Sequence, residues 1–181
     1  VQADGEIVPY QLVDYPGRTF YRNAGNSRRR GLELGLTVQI IRNLTAFATY
    51  TYSDFKYVTY TTTDGTFDSN RLPGIPKHAG YGEIRYFHSK GPYGILQARR
   101  AGTFFANDAN TVSTNAYTLL NLRFGWQIKR KGWSLEPFGG LNNILNIRYF
   151  ATIQINAAAG RYFEPASDRT VFAGLKVRPG R

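Results

Sequence analysis

The residues that could carry chemistry are few and scattered. His78 and His88 are the only histidines, and the chain has no cysteine, so a thiolate metal site or a disulfide is impossible. The two histidines fall near opposite ends of one predicted strand, which leaves no metal site to expect from them. Serines and aspartates do not group into a nucleophile with a base, and no glycine-rich phosphate loop precedes a helix. The expectation is a protein that is not an enzyme and holds no cofactor or metal. What the sequence offers instead is cation and aromatic chemistry. Lys plus Arg is 23 against 12 for Asp plus Glu, a net charge of +11, with 13 Tyr and 12 Phe. Such a balance suits nucleic acid, anionic lipid headgroups or an anionic solute. Where the charges fall along the chain decides among these.

The elements that place them follow a period of two. In Gly31 to Ile40, Leu32, Leu34, Leu36, Val38 and Ile40 share one side, and Glu33, Gly35, Thr37 and Gln39 the other. In Thr118 to Ile128, Leu120, Leu122, Phe124, Trp126 and Ile128 oppose Asn121, Arg123 and Gln127. Near the end, Val171, Ala173, Leu175 and Val177 alternate with Phe172, Gly174, Lys176 and Arg178. Each is a strand with an apolar and a polar side. Weaker runs complete a set of eight predicted strands at 6–12, 27–41, 44–60, 77–89, 93–105, 116–129, 133–145 and 169–178. No apolar run reaches the roughly 18 residues a membrane helix needs.

The connections sort by length. Ile41-Arg42-Asn43, Ser89-Lys90-Gly91-Pro92 and Arg130-Lys131-Gly132 are short turns, whereas 13–26, 61–76, 106–115 and 146–168 are long. Short turns at one end and long loops at the other are the pattern of an outer-membrane barrel. A soluble sandwich has no reason to sort its loops this way. Trp126 and Trp133 flank the turn at 129–132 and point outward by parity, so they are expected at the periplasmic membrane interface, where indoles prefer to lie. The polar side, with Glu33, Glu83, Arg85, Arg99 and Arg123, is expected to face the lumen. Basic residues occur in turns, loops and lumen positions alike, which argues against a nucleic-acid surface. Two positions strain the register. Arg99 and Arg100 are adjacent, so a regular strand turns one of them toward lipid, and Pro137 removes a ladder donor inside a strand. A bulge or a place near the headgroups is expected at the arginines.

Several segments resemble a known family. Asn23-Ala24-Gly25 followed by Gly31-Leu32-Glu33, Thr49 to Asp54 (TYTYSD), Leu72 to His78 (LPGIPKH), Tyr117 to Gly125 (YTLLNLRFG), Asn143 to Tyr149 (NILNIRY) and Arg161 to Pro165 with Arg169 resemble, in order and spacing, the barrel of TonB-dependent outer-membrane receptors. The likeness spans 23–178. It implies an all-β fold: about eight antiparallel strands of a 22-strand transmembrane barrel, an open curved sheet when alone. On that reading 1–181 is the C-terminal part of the barrel domain, a processed or cropped piece without its plug. The chain has no methionine, so Val1 is not an initiator. Family barrels usually end on an aromatic residue, where this chain has Pro179-Gly180-Arg181.

The resemblance further implies TonB-coupled uptake of a scarce solute at the bacterial outer membrane, most often a ferric siderophore. The partners it implies are lipid and lipopolysaccharide, the rest of the barrel and plug, TonB through an N-terminal part, and a metal chelate. Candidate solute contacts are Tyr57, Tyr60, Phe67, Phe105, Arg161 and Tyr162, because aromatics and Arg suit aryl-rich anionic chelates. Arg28-Arg29-Arg30 has two readings, contact with lipopolysaccharide phosphate or a solvated strand end. The alternative whole-chain reading is a self-contained eight-stranded barrel with a structural or adhesive role, in which strand 6–12 would pair with 169–178.

Overall fold

The computed structural model describes residues 2–3, 7–10, 12–23, 25–62 and 64–179. Among these residues fifteen strands occur in chain order. The short ones are β1 (Gln2–Ala3), β2 (Ile7–Tyr10), β3 (Phe20–Asn23), β6 (Thr61–Thr62), β7 (Gly65–Thr66), β11 (Ile128–Arg130), β13 (Phe150–Ile153) and β14 (Phe163–Pro165). The long ones are β4 (Asn26–Ile41), β5 (Leu44–Thr59), β8 (His78–Phe87), β9 (Pro92–Ala101), β10 (Tyr117–Trp126), β12 (Trp133–Asn142) and β15 (Thr170–Pro179). The long strands form one antiparallel meander, β4-β5-β8-β9-β10-β12-β15, with β1 beside β4 and β11 continuing β10 along β12. Five of them are ten residues long, the length a tilted strand needs to cross the hydrocarbon core. β4 and β5 run for sixteen residues and so overshoot.

Between register shifts at Asn26/Ser27 and Gln39/Ile41, near the two ends of the β4–β5 pair, the register holds side-chain parity across the sheet. The pairs Phe47–Glu83, Glu83–Gln97 and Gln97–Asn121 put polar groups in one row. Leu36–Ala48, Ala48–Gly82, Gly82–Ala98 and Ala98–Leu120 make the matching row on the other side. A slip of one residue at any junction would exchange the two faces. The apolar face is bare: Leu34, Trp126 and Leu175 are 56, 51 and 62% exposed. A water-soluble sheet would cover such a face, since each buried Leu contributes about 1.5–3 kcal/mol.

Seven of the eight predicted strands lie in this sheet. The first does not: Ile7–Tyr10 pairs with β3 as a separate hairpin, and two-residue β1 takes the place beside β4. Residues 6 and 11 of that predicted strand, and the 180–181 tail, lie outside the described residues. Among the described residues β2 has no pairing with β15, which finds only β12. Among the described residues the sheet is therefore open at both edges. The long loops carry the small hairpins β6–β7 and β13–β14, which period-two reading missed because each strand is only two to four residues long.

The turns are tight where expected. Gly132 sits at φ 82°, a left-handed position in the Lys131-Gly132 turn that a side chain would strain. At Gly91, φ 108°, a Cβ would also strike the Gln127 carbonyl and the Trp126 indole. No bulge occurs at the arginine pair. Pairing runs unbroken through both residues; Arg99 takes the polar face and Arg100 the apolar one, beside the loop end of β9. There Arg100 Nη1 donates to Thr118 Oγ1 at 2.9 Å. Pro137 keeps register with Leu175 in β15, and the ladder from β12 to β10 lapses between Gly125 and Ile128, where the proline has no N–H to give.

Candidate functional site

The polar face is built around two carboxylates. Glu83 is 5% exposed although it stands on a strand. Its Oε2 accepts from the Tyr81 hydroxyl at 2.7 Å and from Gln97 Nε2 at 2.6 Å, and its Oε1 accepts from Arg85 Nε. Alternation puts Tyr81, Glu83 and Arg85 on one side of β8, and register brings Gln97 opposite. Glu136 accepts from the Tyr93 hydroxyl at 3.0 Å and has Lys176 Nζ at 3.9 Å and Arg178 Nη2 at 4.0 Å. Arg123 lies 5.1 Å over the Phe138 ring, within cation–π range. Arg99 and Glu33 share this face and are exposed, and a cavity of about 390 Å³ opens between Glu83, Arg123 and Asn142. Glu83 and Glu136 are thus each held by several groups of the same face.

A second site forms where the long loops meet. Tyr57 continues the parity of the polar face, so its ring points to that side at the loop end of β5. Its hydroxyl donates to Asp108 Oδ1 at 2.7 Å, and Tyr60 donates to Oδ2 at 3.0 Å. Asn156 Nδ2 donates to the same Oδ2 at 2.8 Å, while the Asp108 N–H donates to Asn156 Oδ1 at 2.9 Å. Asn70 Nδ2 reaches the Asp108 carbonyl at 2.8 Å. One buried aspartate, through its carboxylate and its backbone carbonyl, thus ties together the end of β5, the loop before β8, the loop before β10 and the loop before β15. Asn110 and Asn156 both adopt left-handed backbone, φ 56° and 53°, which Asn tolerates better than most residues.

The expected solute contacts differ in burial. Tyr57 and Tyr60 are 1 and 2% exposed, packed with Leu72, Phe55, Phe67 and Ile75. They anchor loops. Phe105 is half-buried and occupied: its carbonyl accepts from Gly74 N–H at 2.7 Å and it bridges Ser113. Arg161 is exposed. Phe67 and Tyr162 line a cavity of about 400 Å³ together with Tyr10, Asp64, Asn107 and Asn156. Sequence reading missed Asp108 and Asn156, because Asn107-Asp108-Ala109-Asn110 carries only a turn signal.

Trp126 and Trp133 both lie on the apolar face, next to the short turns, and the Trp126 indole N–H donates to the Lys90 carbonyl at 3.1 Å. His78 and His88 stand at opposite ends of β8, the first with Tyr50 Oη 2.7 Å from its Nδ1.

The family model for the TonB dependent receptor-like β-barrel matches residues 2–144. The chain belongs to that family. Among curated relatives, this receptor-barrel chain is 25% identical over 146 residues to the ferrichrome outer membrane transporter/phage receptor of Escherichia coli K12, covering 78% of the chain and 19% of that protein. It is also 25% identical over 150 residues to the ferrichrome receptor FcuA of Yersinia enterocolitica, covering 81% of the chain and 19% of that protein. The chain spans about a fifth of the length of these relatives. The siderophore receptor PiuA of Acinetobacter baumannii superposes with a TM-score of 0.71 at 22% identity, over 98% of this chain and 25% of that one. The fold is therefore that of a piece of a TonB-dependent receptor barrel, and its location is the bacterial outer membrane. The family is one of receptors and transporters, not of enzymes.

Proposed function

We propose that this chain forms the C-terminal part of the barrel wall, with its outer loops, in a receptor that imports a ferric siderophore by TonB-coupled transport and catalyses no reaction. The observation that carries this reading is the side-chain parity kept through the seven-strand meander between the irregularities at the two ends of the β4–β5 pair. It presents an apolar face on one side and a hydrogen-bonded polar face on the other, with the long loops gathered at one end. On this reading Leu36 and Leu120 meet lipid, and Trp126 and Trp133 sit at the periplasmic interface. Glu33, Glu83, Arg85, Arg99 and Arg123 line the lumen against a plug supplied elsewhere in the whole protein. The names of the curated relatives, both ferrichrome receptors, support iron-chelate uptake.

The partners follow from the faces. The two open sheet edges require the remaining barrel strands, because unpaired edge groups cannot remain in hydrocarbon. TonB would act through the plug. Arg28, Arg30 and Lys56 lie on the apolar-face parity beyond the aromatic residues Tyr50 and Tyr52, and no acid lies within ion-pair distance of Arg28 or Arg30 among the described residues. That placement favours lipopolysaccharide phosphate as their partner over a merely solvated strand end.

The test uses a strain lacking its other iron-chelate receptors and expressing the full-length protein. Radiolabelled ferric-siderophore uptake should appear with the receptor and vanish on loss of TonB or of the proton gradient. Uptake that persists without TonB would overturn the reading.

A further inference from the structure

The short turns lie on one rim of the sheet, and the only full charges in them are positive. Arg42 lies in the turn between β4 and β5, and Lys90 in the turn between β8 and β9. Lys129, Arg130 and Lys131 lie in β11 and the turn after it, and no Asp or Glu stands in any of these three places. Backbone bonds set the turns side by side. The Phe87 N–H donates to the Asn43 carbonyl at 2.9 Å, and the Gln127 N–H donates to the Gly91 carbonyl at 2.8 Å. All five cations are exposed, and none has a carboxylate within ion-pair distance among the described residues. Glu136, the acid that follows on β12, is already flanked by Lys176 and Arg178. The long loops at the other end mix their charges, with Asp64 and Asp68 on the same loop as Arg71, and Glu164 and Asp168 on the same loop as Arg161.

This rim stands at the height of the two indoles. Trp126 Nε1 donates to the Lys90 carbonyl at 3.1 Å, and Arg130 pairs in register with Trp133, which lies on the apolar face. Indole rings favour the boundary between hydrocarbon and water, so cations at that height meet the headgroup layer. Their long stems can lie along apolar surface while the charged ends reach the phosphates. Cations near a membrane surface attract anionic lipid, and the attraction grows with each one added. We propose that the short-turn rim binds anionic phospholipid of the leaflet it faces, in preference to zwitterionic phospholipid. The proposal rests on the reading above that this rim is the periplasmic one, and it names the lipid that the rim takes. Arg130 beside Trp133 favours lipid over a soluble periplasmic partner, since such a partner would dock beyond the headgroups and not among them.

The experiment titrates the purified full-length receptor with phosphatidylglycerol and with phosphatidylethanolamine and reads bound lipid by native mass spectrometry. The wild type should bind phosphatidylglycerol about tenfold more tightly. Replacing Lys129, Arg130 and Lys131 together by Gln should lower that ratio about fivefold. Arg42→Gln with Lys90→Gln, in the other two turns, should lower it by about the same factor and gives a second, independent measurement. Arg18→Gln, at an exposed position on a long loop, should leave it unchanged. Equal affinity of the wild type for the two lipids overturns the proposal, and so does a ratio that both turn variants leave unmoved. An equal fall in Arg18→Gln would make net charge the cause and overturn the rim as the site. Orientation is measured separately. Lys131→Cys, compared with the unsubstituted receptor, should take a maleimide too bulky for outer-membrane pores only after the outer membrane is permeabilised. Labelling on intact cells would remove the periplasmic assignment, and this proposal with it. Labelling only after permeabilisation, together with no lipid preference, overturns the lipid proposal alone.

Discussion

The Tyr57 hydroxyl meets the Asp108 carboxylate at 2.7 Å across 51 residues of sequence, with both groups buried. That one bond joins a barrel strand to a surface loop, and Tyr60 and Asn156 converge on the same two oxygens. Loops usually move more than the elements they connect. These are pinned, so their order depends on one acid.

Asp108→Ala should therefore loosen the loops and spare the wall. It removes the acceptor shared by two buried phenols and an amide, each bond to a charged group contributing about 1.5–3 kcal/mol. Amide hydrogen exchange in 61–76, 102–116 and 146–168 should quicken, while β8, β9 and β10 stay protected. Unchanged exchange in the loops would show that the apolar packing of Tyr57, Tyr60 and Leu72 holds them without the acid.

The two faces of one strand should respond oppositely to the same charge. Leu36→Arg places a guanidinium on the apolar face and should cost about 2–4 kcal/mol in a folding titration into lipid vesicles. Thr37→Arg, one residue on, turns to the polar face and should stay within about 0.5 kcal/mol of wild type. Equal penalties would mean that both faces meet the same medium.

Glu83 should be more sensitive to loss of its acceptor oxygens than to loss of charge alone. Glu83→Leu leaves Tyr81, Gln97 and Arg85 without their shared partner and should destabilise by about 3 kcal/mol or more. Glu83→Gln retains one carbonyl acceptor and should cost roughly half as much. Urea unfolding of the full receptor in vesicles distinguishes the two, and indistinguishable midpoints would show that the polar face is solvated rather than networked.

Taken out of its barrel, the segment should not behave as a finished protein. Expressed as residues 1–181 it offers a bare edge on β15 and most of a bare edge on β4. Such edges recruit other strands. Light scattering should report oligomers in detergent, and reconstituted vesicles should show no energy-coupled uptake. A monodisperse monomer with a closed barrel would favour the self-contained reading instead.

Strand identity and face were readable from residues 27–178 because they are local quantities. Leu32 through Ile40 alternate with Glu33 through Gln39 whatever their neighbours are, and a period of two is visible in a single strand. The sorting of loops by length was equally local. The Arg99–Arg100 pair shows where that ended: parity alone required one arginine on the apolar face, and only the register of β9 against β8 and β10 placed it at the loop end, within reach of Thr118. Ile7–Tyr10 has the composition of a barrel strand, yet its partner is β3, a choice made by hairpin closure that its own residues do not encode.

The loop site lay furthest from view for the same reason. Tyr57 and Tyr60 read as exposed aromatics on a strand end, because burial depends on what covers them, and the cover comes from Asn70, Asp108 and Asn156 in three other segments. Sequence by itself determined the alternation, and hence a sheet with an apolar side and a polar side. Tertiary structure alone decided which loop side chains are spent holding loops together and which still line a cavity, since that depends on contacts between residues about 50 positions apart.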